Sequence, residues 1–504
     1  MDDLFQLIRS MTKAEKRHFR LFATRYKQEK TYLLLFDELN RQKIYNEERL
    51  QRLFCEGEYA GQLHVAKNYL YKMIMKSLRS FDRKASRREK VEELITDIGI
   101  LYDRGLFKQA RKLWKQADRI AEDLENPDLK LTLTQLRFQL SGKGVRQLER
   151  LEDIHQDRME ALRSLEEMFQ YDYLQERIAT ICTASPHRST RQQKEVTELI
   201  EHPLLSHPPD RSSWRIQGLY YMTLASAHYA LGEYLQAVAM LLESKRLYTE
   251  ESTRRMEYFS EYLCTVGNLI TLSRQTRNYS QYEELIAELR EISDTGFERE
   301  TASANRSYST CKETLYLAEL QLETVRGNFD QAVALAPEID HFLEHVPSYR
   351  YGIQRNQIRL LLAYSCFACG DMNRALCYLN DLLDGGEPKK GRSIYYSGRE
   401  LELLIHYELG NDELLYSLER SLRTRLATYK LGGAYEARVL RFFRAVLSGA
   451  PVDWNPDSYD PSEQQLLFGT IDFPAWIESK RSGESFSQVV RREFLELYQE
   501  RVSG

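Results

Sequence analysis

The chain has 504 residues, of which 42% are hydrophobic and 29% charged, with 71 Lys and Arg against 75 Asp and Glu. That composition excludes a disordered polypeptide, and no apolar run approaches the roughly 18 residues that a membrane span needs. Seven cysteines, an odd number in a long chain, argue against a disulfide framework, and the charged opening MDDLFQLIRS does not read as a signal peptide, so a reducing cytoplasm is the expected location.

Charge is unevenly distributed. Residues 1–90 hold 21 basic and 12 acidic side chains, whereas the remainder holds 50 and 63. A basic amino-terminal helical bundle, residues 1–86, is therefore expected, built of four helices and one weak helical segment at 46–54. Thr12 followed by Glu15 makes a capping box for the second helix, and Phe19, Phe22 and Tyr26 share its inner face. The longest helix, 62–81, turns Leu63, Ala66, Leu70, Ile74, Ser77 and Phe81 inward. Its Lys72, Lys76, Arg79 and Arg83 fall at helical spacing and form a basic surface stripe. The simplest reading of that stripe is a solvated face; the functional one is contact with phosphate or an acidic partner.

From 87 to 445 one pattern recurs. In MTLASAHYALGEYLQAVAMLLESKRLY, 222–248, Leu224, Ala225 and His228 share a face before Gly232, and Tyr234, Ala237, Leu241 and Ser244 share one after it. Small residues let the two helices approach, and glycine permits the sharp turn. This spacing resembles the tetratricopeptide repeat, a helix–turn–helix unit that stacks into a solenoid. Further copies centre on Gly105, Gly327, Gly370 and Gly410, and a degenerate one has Arg277 where glycine would stand. From Gly232 onward the steps are 45, 50, 43 and 40 residues, longer than the 34 of the standard repeat, so longer helices or loops are implied. Divergent copies are expected between 105 and 232, with a break between two sub-arrays at the loop 202–213. Residues 446–504 lose the pattern. A polar, Pro-rich connector precedes short helices at 463–467 and 473–479 and a longer one at 486–501, which together are expected to cap the last apolar face.

Catalytic patterns are weak. Cys366-Phe-Ala-Cys369 has no second pair at zinc-finger spacing and lies inside a predicted helix, so core cysteines are expected. His341-Phe-Leu-Glu344-His345 matches H-x-x-E-H literally, but it closes a repeat helix just before Pro347, where imidazoles suit a helix terminus. The loop GGEPKKGRS, 385–393, lacks the order of a phosphate loop, and G-x-S-x-G is absent.

The expected fold is thus all-α, a tetratricopeptide-like superhelix with a basic amino-terminal cap. The resemblance covers about 70% of the chain. It implies a concave groove lined by first helices, placing Met222, Ser226, Tyr229, Leu317, Gln321, Thr324, Leu360, Tyr364, Phe367, Leu404 and Tyr407 at lining positions. FQLIRSMTKAEKRHFRLFA and LHVAKNYLYKMIMKSLRSF also resemble the start of a group of large, uncharacterised bacterial helical-repeat proteins. The expectation is a non-enzymatic scaffold, without cofactor, metal or membrane contact, that holds a protein or peptide in its groove. The alternative is a bacterial regulator: its layout is similar to peptide-sensing regulators in which repeats bind a ligand and the basic bundle contacts nucleic acid or an acidic partner. Nucleic acid ranks behind protein as the expected partner, because no aromatic residues interleave with the stripe.

Overall fold

The computed structural model describes residues 3–24, 29–42, 45–55, 63–82, 86–141, 151–184, 190–209, 213–295, 302–346, 352–384, 386, 392–429, 433–458 and 471–502. Arg83, most of the 385–393 loop and the expected helix 463–467 lie outside them. The described residues are helical throughout, with no strand among them, and none of their helices is long and apolar enough to cross a membrane. They fall into two compact units, one comprising Met1–Cys182, Thr190–Tyr279 and Asp294–Tyr308, the other Thr183–Ser189, Ser280–Ser293 and Ser309–Gly504. The loop 202–213 lies within the first of these units, in the stretch Thr190–Tyr279.

The first unit opens with α1 (Asp3–Ser10), α2 (Lys13–Ala23), α3 (Glu29–Arg41), α4 (Glu47–Cys55) and α5 (Leu63–Asp82). The weak 46–54 segment is thus a full helix, α4. Thr12 and Glu15 form the expected capping box: the Glu15 amide donates to Thr12 Oγ1 at 3.0 Å and the Thr12 amide to Glu15 Oε2 at 2.6 Å. Phe19, Leu35, Phe36, Leu39, Leu50, Leu70 and Ile74 make one fully buried core for these helices, with α5 packed against α2, α3 and α4. Ser77, the polar member of the inner stripe, is also buried and meets His18 Nδ1 at 3.0 Å.

The first unit continues with α6 (Arg87–Asp103), α7 (Phe107–Leu124), α8 (Pro127–Ser141), α9 (Leu151–Ala184), α10 (Thr190–Ile200), α11 (Pro203–Ser206), α12 (Trp214–Leu231), α13 (Tyr234–Thr249), α14 (Ser252–Glu257) and α15 (Phe259–Gln275). Divergent hairpins were expected between α7 and α12, but the longest element of that interval is α9, a single helix of 34 residues. The reason is local: from Leu151 to Ala184 there is no Gly or Pro to turn the chain.

The second unit holds most of α16 (Tyr279–Thr295) and α17 (Ala302–Val325), then α18 (Phe329–Ala334), α19 (Ala336–His345), α20 (Ile353–Ala368), α21 (Met372–Leu383), α22 (Arg392–Glu408), α23 (Asp412–Tyr429) and α24 (Ala434–Ser448). A 3₁₀ turn at Pro456–Ser458 follows, then α25 (Phe473–Ser482) and α26 (Phe486–Val502). Pro337, in the first turn of α19, cannot donate a backbone hydrogen bond, and the second arm of the Gly327 copy is accordingly split into α18 and α19.

The six predicted turns share one geometry. Gly105, Gly232, Gly327, Gly370 and Gly410 are left-handed, with φ between 66° and 87°, and Arg277 adopts the same region at 55°. In each, the turn residue's amide donates to the carbonyl three residues back and the next amide to the carbonyl five residues behind it; Gly370→Phe367 at 2.9 Å and Asp371→Cys366 at 2.9 Å are one pair, Arg277→Arg274 at 3.0 Å and Asn278→Ser273 at 2.7 Å another. This is the Schellman closure, which satisfies the last carbonyls of the first helix while reversing the chain. Behind the turns the small frame residues Ala110, Ala117, Ala237, Ala332 and Ala375 are wholly buried, letting the arms α6–α7, α12–α13 and α20–α21 pack closely.

Candidate functional site

The turn before α18 meets a second chain segment at very short range. A Cβ on Gly327 would lie 2.7 Å from the Arg491 amide nitrogen and 3.0 Å from the Ser487 carbonyl oxygen. Glycine is therefore required here twice, for its left-handed backbone and for the backbone of α26 laid across it. Arg491 Nη2 donates to the Gly327 carbonyl at 3.4 Å, and Ser487 Oγ to the Ala368 carbonyl, at the next turn, at 3.5 Å. Between these anchors Phe486 stacks on Phe329, centroids 5.6 Å apart, and meets Tyr364 at 5.9 Å and Phe367 at 6.2 Å.

Helix α25 occupies the third turn. Asp472 caps it, accepting from the Ala475 amide at 3.0 Å, and the Asp472 amide donates to the Tyr364 hydroxyl at 3.2 Å. Trp476 Nε1 donates to Glu408 Oε1 at 2.8 Å and Lys480 Nζ to Glu408 Oε2 at 2.7 Å. The Trp476 ring lies 5.2 Å from Tyr407 and 5.6 Å from Phe442, while Phe473 meets Phe442 at 5.4 Å. The carboxy-terminal helices thus run back across three successive turns, those after α22, α20 and α17, rather than covering only the last helix. Phe473 and Trp476 are almost wholly buried. Each such side chain contributes roughly 1.5–3 kcal/mol through removal from water.

Burial also governs the titratable groups of this groove. It raises the Tyr364 hydroxyl well above its ordinary value, with the Asp472 carboxylate adding to the effect, and it raises Asp472 itself. Glu493, on α26, is pushed up to about 7 by burial and then by the Asp472 charge. Deeper in the unit, Glu400 is fully buried, neither carboxylate oxygen has a hydrogen-bond partner among the described residues, and burial, with the Glu436 charge adding to it, raises it well above its ordinary value.

The expected groove residues divide between the units. Met222, Ser226 and Tyr229 belong to the first unit, where Tyr229 is 44% exposed, Ser226 Oγ donates to the Met222 carbonyl and the Met222 sulfur accepts from Asn268. In the second unit Leu317 and Gln321 are half-buried, with Gln321 Oε1 accepting from the Tyr282 hydroxyl at 3.3 Å. Thr324, Leu360 and Leu404 are buried and line no open surface. Tyr364 and Phe367 are buried beneath Phe486, and Tyr407 is half-covered against Trp476. Phe329, Glu408, Phe442 and the occupying residues Asp472, Phe473, Trp476 and Phe486 were missed. The signal lay in the aromatic density of IDFPAWI, 471–477, in a segment otherwise without repeat pattern.

The weaker motifs resolve plainly. Cys366 is buried and its thiol is pushed up to about 11 by that burial, while Cys369 is exposed and also raised by desolvation, so neither is an activated thiolate. His341 and His345 stack at 4.2 Å, and His345 Nδ1 meets the His341 carbonyl, on an exposed helix end. No group of three or more His, Cys, Asp or Glu among the described residues has metal-holding geometry. Lys72, Lys76 and Arg79 are exposed on α5 as expected. No protein-family model, curated protein or solved structure compared with the chain matches it.

Proposed function

We propose that this protein is a non-enzymatic binding scaffold: a cytoplasmic, tetratricopeptide-like solenoid whose second unit holds an amphipathic, aromatic-bearing helix from a protein partner. The observation that carries the reading is the seating of α25 and α26. A helical segment presenting Phe and Trp already lies across three hairpin turns, fixed by aromatic packing and by hydrogen bonds to the Gly327 and Ala368 carbonyls and Glu408. This is helix-in-groove recognition with the chain's own tail as occupant, and a partner helix of the same chemistry would compete with it. A second reading, a regulator whose basic bundle contacts nucleic acid, draws support from the exposed cations Lys72, Lys76 and Arg79 of α5.

Two glycine substitutions test the scaffold reading in the full-length chain. Gly327→Ala and Gly370→Ala each force alanine into left-handed backbone, costing about 1–2 kcal/mol. Only at Gly327 does the new methyl also strike α26; at Gly370 nothing lies within 4 Å. A fluorescent peptide with the sequence of residues 471–483, the α25 segment that does not touch Gly327, should bind the Gly327→Ala protein at least about tenfold more tightly than Gly370→Ala or the parent, because displacing α26 loosens the tail's own hold on that seat. Equal binding to all three would refute the groove.

A further inference from the structure

Helix α5 carries the one row of exposed cations in the amino-terminal bundle that the sequence singled out, and its surroundings make it more than a solvated face. Some cations of the bundle are paired: Arg20 with Asp37 at 2.7 Å, Arg49 with Glu38 at 2.5 Å, and Lys67, on α5 itself, with Glu47 at 3.2 Å. Among the described residues Lys72, Lys76 and Arg79 have no acidic partner. They border a cavity of about 490 Å³, whose described wall also contains Tyr69, Tyr71, Met73 and Met75. Tyr71 is 42% exposed, and Tyr69 is set in place by Tyr32, their rings 4.3 Å apart. Tyr69 and Tyr71 lie beside the stripe in the sequence, and in the structure both rings and Met75 border the same cavity, while Met73 belongs to the bundle core.

We infer that the cavity along α5 is a binding site for a short stretch of single-stranded nucleic acid, with Lys72, Lys76 and Arg79 along the phosphates and the Tyr71 and Tyr69 rings against the bases. Spacing and chemistry select this ligand. The three cations span about 10 Å of helix axis, and a stacked strand carries a phosphate about every 3.4 Å, so the row faces about three phosphates. Flat rings and the polarisable Met75 thioether match the open faces of unpaired bases, which a duplex hides inside its stack. An acidic helix would satisfy the cations but make no use of flat aromatic walls. The inference is independent of the tail-filled groove: its site lies in the other compact unit, and its failure would leave the groove reading standing.

The test uses the full-length protein and a fluorescein-labelled dodecathymidylate, read by anisotropy between 50 and 200 mM salt. Binding is expected with a log–log salt slope of about −2, the value for three neutralised phosphates of a single strand. Joint Lys72→Glu, Lys76→Glu and Arg79→Glu substitution should abolish it, whereas Lys72→Arg with Lys76→Arg should retain it. Tyr71→Ala should weaken it about tenfold without changing the slope, and Tyr71→Phe should restore it. Circular dichroism of each variant separates loss of the site from loss of the fold. No binding at 50 mM salt overturns the inference. So does equal affinity for a duplex of the same length, displacement by polyglutamate as effective as by unlabelled strand, or equal affinity for ATP alone.

Discussion

Arg277 shows how much one backbone position decides. It is exposed, and it holds a left-handed conformation that five sister turns assign to glycine. No ion pair or hydrogen bond of its side chain compensates among the described residues; its backbone makes the same Schellman bonds as the glycines. The strain of a β-carbon there is about 1–2 kcal/mol, partly offset because glycine gains more entropy on unfolding. Arg277→Gly is therefore expected to stabilise the first unit by about 0.5–1 kcal/mol, measured as a raised midpoint in urea at unchanged slope. A lowered midpoint would mean that the guanidinium contributes an interaction outweighing the strain. The turn itself was legible in the sequence despite its missing glycine, because the flanking frame, Leu269 and Ile270 before it and Tyr282, Leu285 and Ile286 after it, is buried as in the other copies.

At the scale of elements, short-range grammar was readable and coverage was not. Caps, turns and small-residue faces are written within a few residues of where they act, which is why Thr12–Glu15 and the turn glycines were found. Periodicity reports which side of a helix is apolar, but not which distant helix will cover it. Tyr364 and Phe367 therefore look like groove lining in the repeat frame, yet Phe486, more than a hundred residues later, packs upon them. The docked element carries its own titration. Glu493, at about 7, binds a proton in the docked state that an undocked carboxyl would release near its ordinary value of 4.5. Docking is thus strongest below about pH 4.5, weakens as pH rises toward 7, and has lost this contribution above it; buried Asp472, also raised, acts with the same sign. The Glu493 carboxyl is only partly buried, so the loss is expected to be about 1–2 kcal/mol, below the full linkage value. Hydrogen exchange of α26 amides, corrected for intrinsic rates, should show protection falling between pH 5 and 8 in the parent and much less in Glu493→Gln. Identical profiles in the two proteins would remove Glu493 as the source.

For the molecule as a whole, the two compact units pose a question of cooperativity. Repeat arrays unfold as sums of local units coupled through neighbouring interfaces, and cooperativity decays as they lengthen. Each unit here has its own buried interior: the first is centred on residues such as Leu70, Ile98, Ala237 and Val266, the second on Phe329, Tyr396, Leu401 and Phe443. The four tryptophans are shared equally, with Trp114 and Trp214 in the first unit and Trp454 and Trp476 in the second, so intrinsic fluorescence reports on both. Urea unfolding followed by tryptophan emission is expected to be biphasic. Arg277→Gly should move one phase upward and leave the other in place. Phe486→Ala, which deletes a 9%-exposed ring from the second unit, should lower the other phase by about 3–5 kcal/mol and spare the first. Additivity in the double variant would follow, since sites without shared partners combine independently. A single transition that both substitutions shift together would instead establish one cooperative block, in which loosening the carboxy-terminal helices is felt at α5. In that event a ligand competing for the groove and a nucleic-acid strand on the basic cavity would be thermodynamically linked, each changing the other's affinity by the same factor.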